Sequence, residues 1–259
     1  MTGPSPDTRQ RVRHVEACMG TVVSIDVRGP GVAAADLQQV VDWLQWVDAT
    51  FSTYRPDSAV NRLGRGEIAV GDGPPELAEV LHRCAAAREA THGYFTATPY
   101  GALDPSGLVK GWAIERASEL LRAAGSTSHA VNGGGDIQLA GDAMPGRPWR
   151  VGIADPLRPG RLVAVVAASD RAVATSGLAE RGSHVIDPFT GRPATDLAAV
   201  TLVGDHLAVI DAYATAAFAM GRAARHWIEA LPGVEALAVA PDGRTWRTAG
   251  FPDVSGAAA

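Results

Sequence analysis

The spacing of apolar residues along the first third of the chain predicts a strand and two helices. Alternating apolar positions from Val15 to Val27 are typical of a strand. A helix follows, because apolar residues then recur at the 3.6-residue spacing of one helical face. That face is predicted to hold Leu37, Val40, Val41, Leu44 and Val47. After a loop at 51–67, a second helix is predicted from Pro75 towards His92.

The remaining pattern mixes helices with short strands. Asp104 and Pro105 have the form of a helix start, and Gly125 is a typical helix stop. Two strands joined by a glycine-rich turn are predicted in 128–141, and a very apolar helix in 205–221. Further strand-like runs lie at 149–154, 161–169, 171–174 and 198–204, and 233–248 is predicted to end in a hairpin-like pair of strands. The helices do not alternate with strands as in regular βαβ units, so an α+β fold is predicted.

Composition indicates an ordinary soluble globular protein. Of 259 residues, 46% are hydrophobic and 20% are charged, and the net charge of -5 argues against a nucleic-acid partner. Residues 1–13 are expected to form a loose tail ahead of one domain at 14–259. The tail lacks the apolar stretch of about 7–15 residues found in signal peptides, so a cytoplasmic location is expected. Cys18 and Cys84 are expected to be free thiols.

An acidic residue inside the apolar helix at 205–221 is the first candidate for chemistry. Asp211 is expected to be buried there, and a buried carboxylate costs several kcal/mol or more unless it is paired or binds a metal. Thr215 lies one turn later on the same face. Two hard oxygen ligands favour Mg²⁺ over zinc. The alternative is a carboxylate hydrogen-bonded to backbone donors or to an arginine.

The helix that starts near Asp104 is the second candidate. Gly107 and Gly111 leave one of its faces bare, so that another backbone or a ligand can approach closely. Free N–H groups of the first turn, together with Lys110, are typical of an anion site. The alternative is a loosely packed helix start with a solvated lysine.

Other segments are uninformative when each is taken alone. The sequence "NGGGDIQL" at 132–139 is either a phosphate-binding turn or a hairpin that carries an acidic residue. Taken alone, Met19 is interpreted as a core residue and Tyr54 as a loop residue. His184 is either structural or catalytic.

Taken in order, these segments resemble the FAD:protein FMN transferases of the ApbE type. The resemblance extends over about residues 15–221. It rests on "MGT" at 19–21, "FSTYRPDSAVNRL" at 51–63, "LDPSGLVKGWAIERA" at 103–117, "NGGGDI" at 132–137, "ATSG" at 174–177, "HVIDPFTGRP" at 184–193 and "DAYATAAFAMG" at 211–221.

The resemblance implies a two-part α+β fold with antiparallel sheets, flanking helices and an FAD cleft between the parts. It implies an enzyme that uses Mg²⁺ to break the FAD pyrophosphate, joins FMN to a Ser or Thr of an acceptor protein, and releases AMP. The metal would be held by Asp211, Thr215 and the backbone carbonyl of Gly107.

The resemblance also assigns residues to FAD and to catalysis. FAD would be contacted by Met19, Tyr54, Tyr94, Phe95, Thr96, Asp104, Lys110 and Ile186. Thr96 stands where the family usually has aspartate. His184 would remove the proton of the acceptor hydroxyl or hold phosphate oxygens, and Asp211 would act in catalysis through the metal. An FAD pyrophosphatase and a non-catalytic flavin-binding protein are the alternatives.

Overall fold

The structure is a computed structural model and describes residues 11–29, 31–99, 101–178 and 185–254. Its helices are α1 (Ala34–Phe51), α2 (Ala59–Gly64), α3 (Pro75–Ala90), α4 (Ser106–Ala123), α5 (Leu207–Met220) and α6 (Ala224–Glu229). Its strands are β1 (Arg11–Cys18), β2 (Thr21–Arg28), β3 (His129–Gly133), β4 (Asp136–Ala140), β5 (Trp149–Ala154), β6 (Leu162–Ala168), β7 (Ala172–Gly177), β8 (Ile186–Asp187), β9 (Arg192–Pro193), β10 (Ala199–Gly204), β11 (Glu235–Val239) and β12 (Thr245–Arg247).

An eight-stranded sheet organises the molecule. Its strand order is β1-β2-β3-β4-β7-β10-β11-β12, and each neighbouring pair runs antiparallel. Two smaller antiparallel pairs are formed by β5 with β6 and by β8 with β9. The predicted mixed α+β class with antiparallel sheets is confirmed.

The sheet is covered on both faces, which explains why its central strands are so apolar. On one face, α1, α4 and α5 contribute Leu44, Ile114 and Ile210 to the larger core. On the other face, the β5–β6 hairpin packs Trp149 and Val166 against the sheet. The strand β10 is buried at every position as a result.

The alternating pattern from Val15 to Val27 belongs to two strands rather than to one. The strands β1 and β2 form a hairpin, with Cys18 paired to Thr21. The turn consists of Met19 and Gly20, with φ angles of 52° and 67°. A two-residue turn with positive φ matches the twist of the strands it joins, and this conformation is not evident from the apolar pattern.

The segment predicted as a loop at 51–67 contains the short helix α2. Ser58 caps this helix, because its hydroxyl accepts a hydrogen bond from the Asn61 N–H at 3.2 Å. The helices predicted near Leu37, from Pro75 and within 205–221 are confirmed as α1, α3 and α5. The glycine-rich hairpin is confirmed as β3 and β4, with Gly134 and Gly135 in its turn.

Both cysteines are buried free thiols. Burial raises the pKa of Cys18 to about 11 and that of Cys84 to about 12, so both are protonated near neutral pH.

No helix among the described residues combines the length and hydropathy that crossing a membrane requires. The strand β1 begins at Arg11, inside the segment predicted as a tail. The domain at 14–259 stays a prediction.

A buried histidine couples α4 to β3. The ring nitrogens of His129 lie 2.7 Å from Ser118 Oγ and 2.9 Å from Ser126 Oγ, and the side chain is buried. Burial, together with the positive charge of Arg122, lowers the pKa of His129 from 6.5 to about 4. The folded protein therefore holds a neutral imidazole at neutral pH.

We predict that His129 makes the fold sensitive to mild acid. As the pH falls below 6.5, the unfolded chain binds a proton that the folded chain excludes, and the difference is complete below about 4. The full loss in the free energy of unfolding is about 3 kcal/mol. In urea titrations between pH 7 and 4.5, His129→Gln should therefore lose less stability than the unsubstituted protein.

The matched control is His82→Gln, which replaces an exposed histidine on α3. This variant should follow the pH dependence of the unsubstituted protein. Equal acid sensitivity in His129→Gln and in the unsubstituted protein would contradict the assignment.

Candidate functional site

Helices α4 and α5 approach each other closely because α4 carries glycine where the two helices face. A Cβ atom at Gly111 would lie 2.5 Å from the carbonyl oxygen of Leu207 and 2.7 Å from Cβ of Asp211. A Cβ atom at Gly107 would lie 3.7 Å from Thr215 Oγ1. A side chain at position 111 would force the helices apart. The absence of a side chain at Gly111 thus lets the α4 backbone reach Asp211, whereas a Cβ at Gly107 would make only an ordinary contact with Thr215.

Asp211 is 4% exposed inside this contact. Its Oδ2 accepts a hydrogen bond from the backbone N–H of Gly111 at 2.9 Å. Its Oδ1 lies 3.8 Å from Nζ of Lys110. The predicted burial of Asp211 is confirmed. The hydrogen bond from a backbone donor, which the sequence analysis gave as the alternative to a metal ligand, is also present. The same carboxylate faces an ammonium group.

A second buried carboxylate lies on the other side of Lys110. Asp136 is 0% exposed at the start of β4. Its Oδ2 accepts a hydrogen bond from Nζ of Lys110, and its Oδ1 accepts one from the backbone N–H of Thr175 at 2.9 Å. Lys110 therefore stands between two carboxylates, with its side chain 21% exposed. We call Lys110, Asp136 and Asp211 the charge cluster.

The start of α5 is tied to the elements beside it. Glu115 of α4 accepts a hydrogen bond from the Ala208 N–H at 2.8 Å and lies 2.8 Å from Nδ1 of His206. Gln138 of β4 accepts one from the Leu207 N–H at 3.1 Å. A negative charge at a helix N-terminus is favourable. These contacts hold the helix that carries Asp211 in one register against α4 and β4.

A cleft of about 320 Å³ lies between the turn after α3 and the β8–β9 hairpin. Its lining includes Arg88, His92 and Thr96 on one side and Ile186, Pro188 and Phe189 on the other. The Tyr94 ring meets the Phe189 ring edge-on, with centroids 4.8 Å apart. The cleft therefore combines apolar surface with the guanidinium group of Arg88.

A turn that begins at Asp187 closes the hairpin beside the cleft. Asp187 accepts hydrogen bonds from the Phe189 N–H and the Thr190 hydroxyl, each at 2.9 Å. Gly191 has a φ of 67° and donates its N–H to the Asp187 carbonyl at 2.8 Å. Aspartate and glycine commonly close such turns. The turn presents Phe189, which is 65% exposed, beside the cleft.

The structure separates the predicted FAD residues into different settings. Thr96 and Ile186 line the cleft, and Tyr94 adjoins it through Phe189. The side chain of Phe95 lies instead in the core and is 1% exposed. Its ring packs against Gly107, since a Cβ atom added there would lie 3.3 Å from the ring. Its backbone N–H donates to Thr91 Oγ1 at 3.0 Å, so the predicted FAD contact at Phe95 stays a prediction.

Met19, Tyr54 and Asp104 are not among the residues that line the cleft. Met19 has a positive φ and donates its N–H to Asp48 Oδ1 at 2.8 Å. Tyr54 is 91% exposed on the loop after α1. His184 lies outside the described residues, so its role stays a prediction.

The start of α4 differs by one residue from the prediction. Pro105 is the capping position and Ser106 is the first helical residue. Asp104 lies one residue before the cap, and its Oδ1 accepts a hydrogen bond from the N–H of Ser106, the first helical residue, at 3.0 Å. This places Asp104 directly before the turn that contains Gly107.

Sequence reasoning missed the part that Asp136 plays. The sequence at 132–139 is compatible with either a phosphate-binding turn or a hairpin, and the structure shows the hairpin. Alternation along β4 places Asp136 and Gln138 on one face, and both side chains are buried. Two polar residues at alternate positions of a buried strand are the signal that points to polar partners.

Comparison with known proteins shows the family. The model of the ApbE family matches residues 19–101 and 97–238. A protein of Rhodobacter capsulatus named FAD:protein FMN transferase is 30% identical over 96% of this chain and 58% of its own length. One of the same name from Treponema pallidum is 33% identical over 74% of this chain and 60% of its own length. The chain spans about three fifths of the length of these curated relatives, 58% and 60%.

Solved structures share the fold. The flavin transferase ApbE of Vibrio cholerae superposes with a TM-score of 0.82 at 23% identity, covering 94% of this chain and 98% of that one. The ApbE protein of Thermotoga maritima gives a TM-score of 0.80 at 22% identity, covering 93% and 97%. The family match and these likenesses lead to one conclusion: the chain belongs to the ApbE family.

Proposed function

We propose that this chain is a Mg²⁺-dependent FAD:protein FMN transferase. In the reaction, a Ser or Thr hydroxyl of an acceptor protein loses its proton and forms a P–O bond to the FMN phosphorus. The pyrophosphate bond to that phosphorus breaks, and AMP leaves. The proposal rests on relatives of this name that align with 96% and 74% of the chain, and on the buried carboxylate of Asp211 beside the α4 glycines.

The donor set around Asp211 fits a magnesium ion. Asp211 contributes a carboxylate, Thr215 a hydroxyl one turn later, and Gly107 a carbonyl in the turn that Thr215 faces. All three are hard oxygen donors, which Mg²⁺ prefers. No group of three or more His, Cys, Asp or Glu side chains in the described residues is placed to hold a metal. The fit therefore depends on this mixed oxygen set.

Lys110 adds a positive charge to the same region. Its ammonium lies 3.8 Å from Asp211 Oδ1 and is partly open to solvent. Transfer of a phosphoryl-type group requires positioning and charge neutralisation more than covalent help from the protein. When bound, Mg²⁺ would neutralise charge on the FAD phosphates. Lys110 would orient and neutralise the remaining phosphate oxygens.

The cleft beside the β8–β9 hairpin is the proposed place for the flavin-containing part of FAD. Ile186, Pro188 and Phe189 supply apolar contacts for a flat ring, and Tyr94 packs against Phe189. Arg88, also on the lining, matches a phosphate or another anionic group. Met19, Tyr54 and Asp104 are proposed FAD contacts by resemblance.

The proposal also covers the acceptor protein and the place in the cell where transfer occurs. The acceptor is a protein with a Ser or Thr that receives FMN. The expected cytoplasmic location stays a prediction.

The first experiment separates transfer from its alternatives. The purified protein is incubated with FAD and Mg²⁺ or EDTA, with and without a candidate acceptor, and AMP and intact protein masses are measured. We expect Mg²⁺-dependent AMP and a mass gain of one FMN on the acceptor. AMP with free FMN but no mass gain would indicate an FAD pyrophosphatase. Tight FAD binding without AMP would indicate a non-catalytic flavin-binding protein.

Asp211→Asn tests the metal site. The amide keeps an oxygen acceptor for the Gly111 N–H but removes the charge, so we expect Mg²⁺-dependent AMP release to fall by about a hundredfold or more. Near-UV circular dichroism should stay unchanged. Asp205→Asn, an exposed position just before α5, is the control and should retain full turnover. Normal turnover in Asp211→Asn would remove the metal assignment.

His184→Ala tests the predicted role of this histidine. If His184 removes the proton of the acceptor hydroxyl, the transfer rate should fall by about a hundredfold while the Kd for FAD changes little. If it holds phosphate oxygens, the Kd for FAD should rise as well. Exposed His82→Ala is the control. An unchanged rate and an unchanged Kd would show that His184 has neither role.

A further inference from the structure

Two buried carboxylates compete for one ammonium group in the charge cluster. Nζ of Lys110 is hydrogen-bonded to Asp136 Oδ2 and lies 3.8 Å from Asp211 Oδ1. Hydrogen bonds between such groups span about 2.7–3.2 Å. The ammonium is therefore bound to Asp136 and stands off from Asp211.

The carboxylate of Asp136 is held firmly in the sheet. Its Oδ1 accepts a hydrogen bond from the Thr175 N–H at 2.9 Å, and Thr175 belongs to β7. Asp136 itself pairs with Gly133 across the β3–β4 hairpin, and the next residue, Ile137, pairs with Val173. Neighbouring strands thus fix both the backbone and one oxygen of this side chain.

The Lys110 ammonium is carried by a longer and more flexible side chain than the Asp136 carboxylate. A lysine ammonium is a point charge on a flexible four-carbon stem with three donors. From its place on α4, the ammonium reaches Asp136 directly and lies within 3.8 Å of Asp211. Among the described residues, the other carboxylate that forms an ion pair with Lys110 is that of Asp211.

An ammonium bound directly to Asp211 would oppose a divalent cation at the same carboxylate. Both cations are attracted to the same oxygens, and they repel each other at short range. The cluster carries two carboxylates and one ammonium, so its formal charge is -1 with the lysine charged. We therefore expect the position of the ammonium to decide whether the Asp211 carboxylate can bind a metal ion.

We infer that Asp136 is a positioning residue that holds the Lys110 ammonium away from Asp211 and so keeps Asp211 available to a divalent cation. This inference rests on the proposed metal site. It assigns to the buried aspartate of the β3–β4 hairpin a role that acts through Lys110 rather than through contact with the metal.

A double-mutant cycle on metal affinity tests the inference without FAD or turnover. Mn²⁺ alone is titrated into the unsubstituted protein, Asp136→Asn, Lys110→Met and the double variant, and free Mn²⁺ is measured by electron paramagnetic resonance. We expect Asp136→Asn to raise the Kd for Mn²⁺ about tenfold, because the released ammonium moves onto Asp211. In the Lys110→Met background, the same substitution should change the Kd by less than about twofold.

An equal loss in both backgrounds would overturn the inference, since Asp136 would then act by its own charge. If Asp136→Asn alone does not fold, the comparison of Lys110→Met with the double variant still decides. A tenfold loss there overturns the inference, and equal affinities support it. Asp205→Asn is the control and should bind Mn²⁺ normally. If the unsubstituted protein binds no Mn²⁺ in this assay, the proposed metal site fails first and the inference fails with it.

Discussion

The burial of the Asp211 carboxylate in an apolar helix is the constraint on which this site depends. A carboxylate in such a place is unstable without partners, and the structure supplies them from α4. The N–H of Gly111 donates to it and the ammonium of Lys110 lies beside it. Both contacts require α4 and α5 to approach closely, which the absence of a side chain at Gly111 permits.

The same constraint explains why charge is organised around Lys110. Asp136, at the start of a sheet strand, takes the ammonium by a direct hydrogen bond and is itself fixed by the Thr175 N–H. At the other end of the contact, Glu115 and Gln138 anchor the first turn of α5. Polar groups from the sheet and from both helices are thus satisfied together, as buried polar networks require.

In the proposed reaction, the charge cluster and the cleft have different tasks and are built from different kinds of element. The charge cluster stands on α4, α5 and the sheet, where positions are held by packing. The cleft is built from the turn after α3 and from the β8–β9 hairpin, which presents the exposed ring of Phe189. Phosphate chemistry depends on fixed charges, whereas a flat ring needs apolar surface. In the proposed function, the charge cluster would serve the phosphates of FAD and the cleft would hold its flat ring.

The sequence by itself determined the α+β class, the main helices, the burial of Asp211 and the close helix approach at Gly111. These follow from local periodicity, glycine spacing and the cost of buried charge. Only the tertiary structure decided that Asp136 is the direct partner of Lys110 and that Phe95 is a core residue. It also divided the first strand pattern into a hairpin at Met19. Pairing between residues far apart in the chain depends on sheet register and helix packing, and no local pattern encodes either.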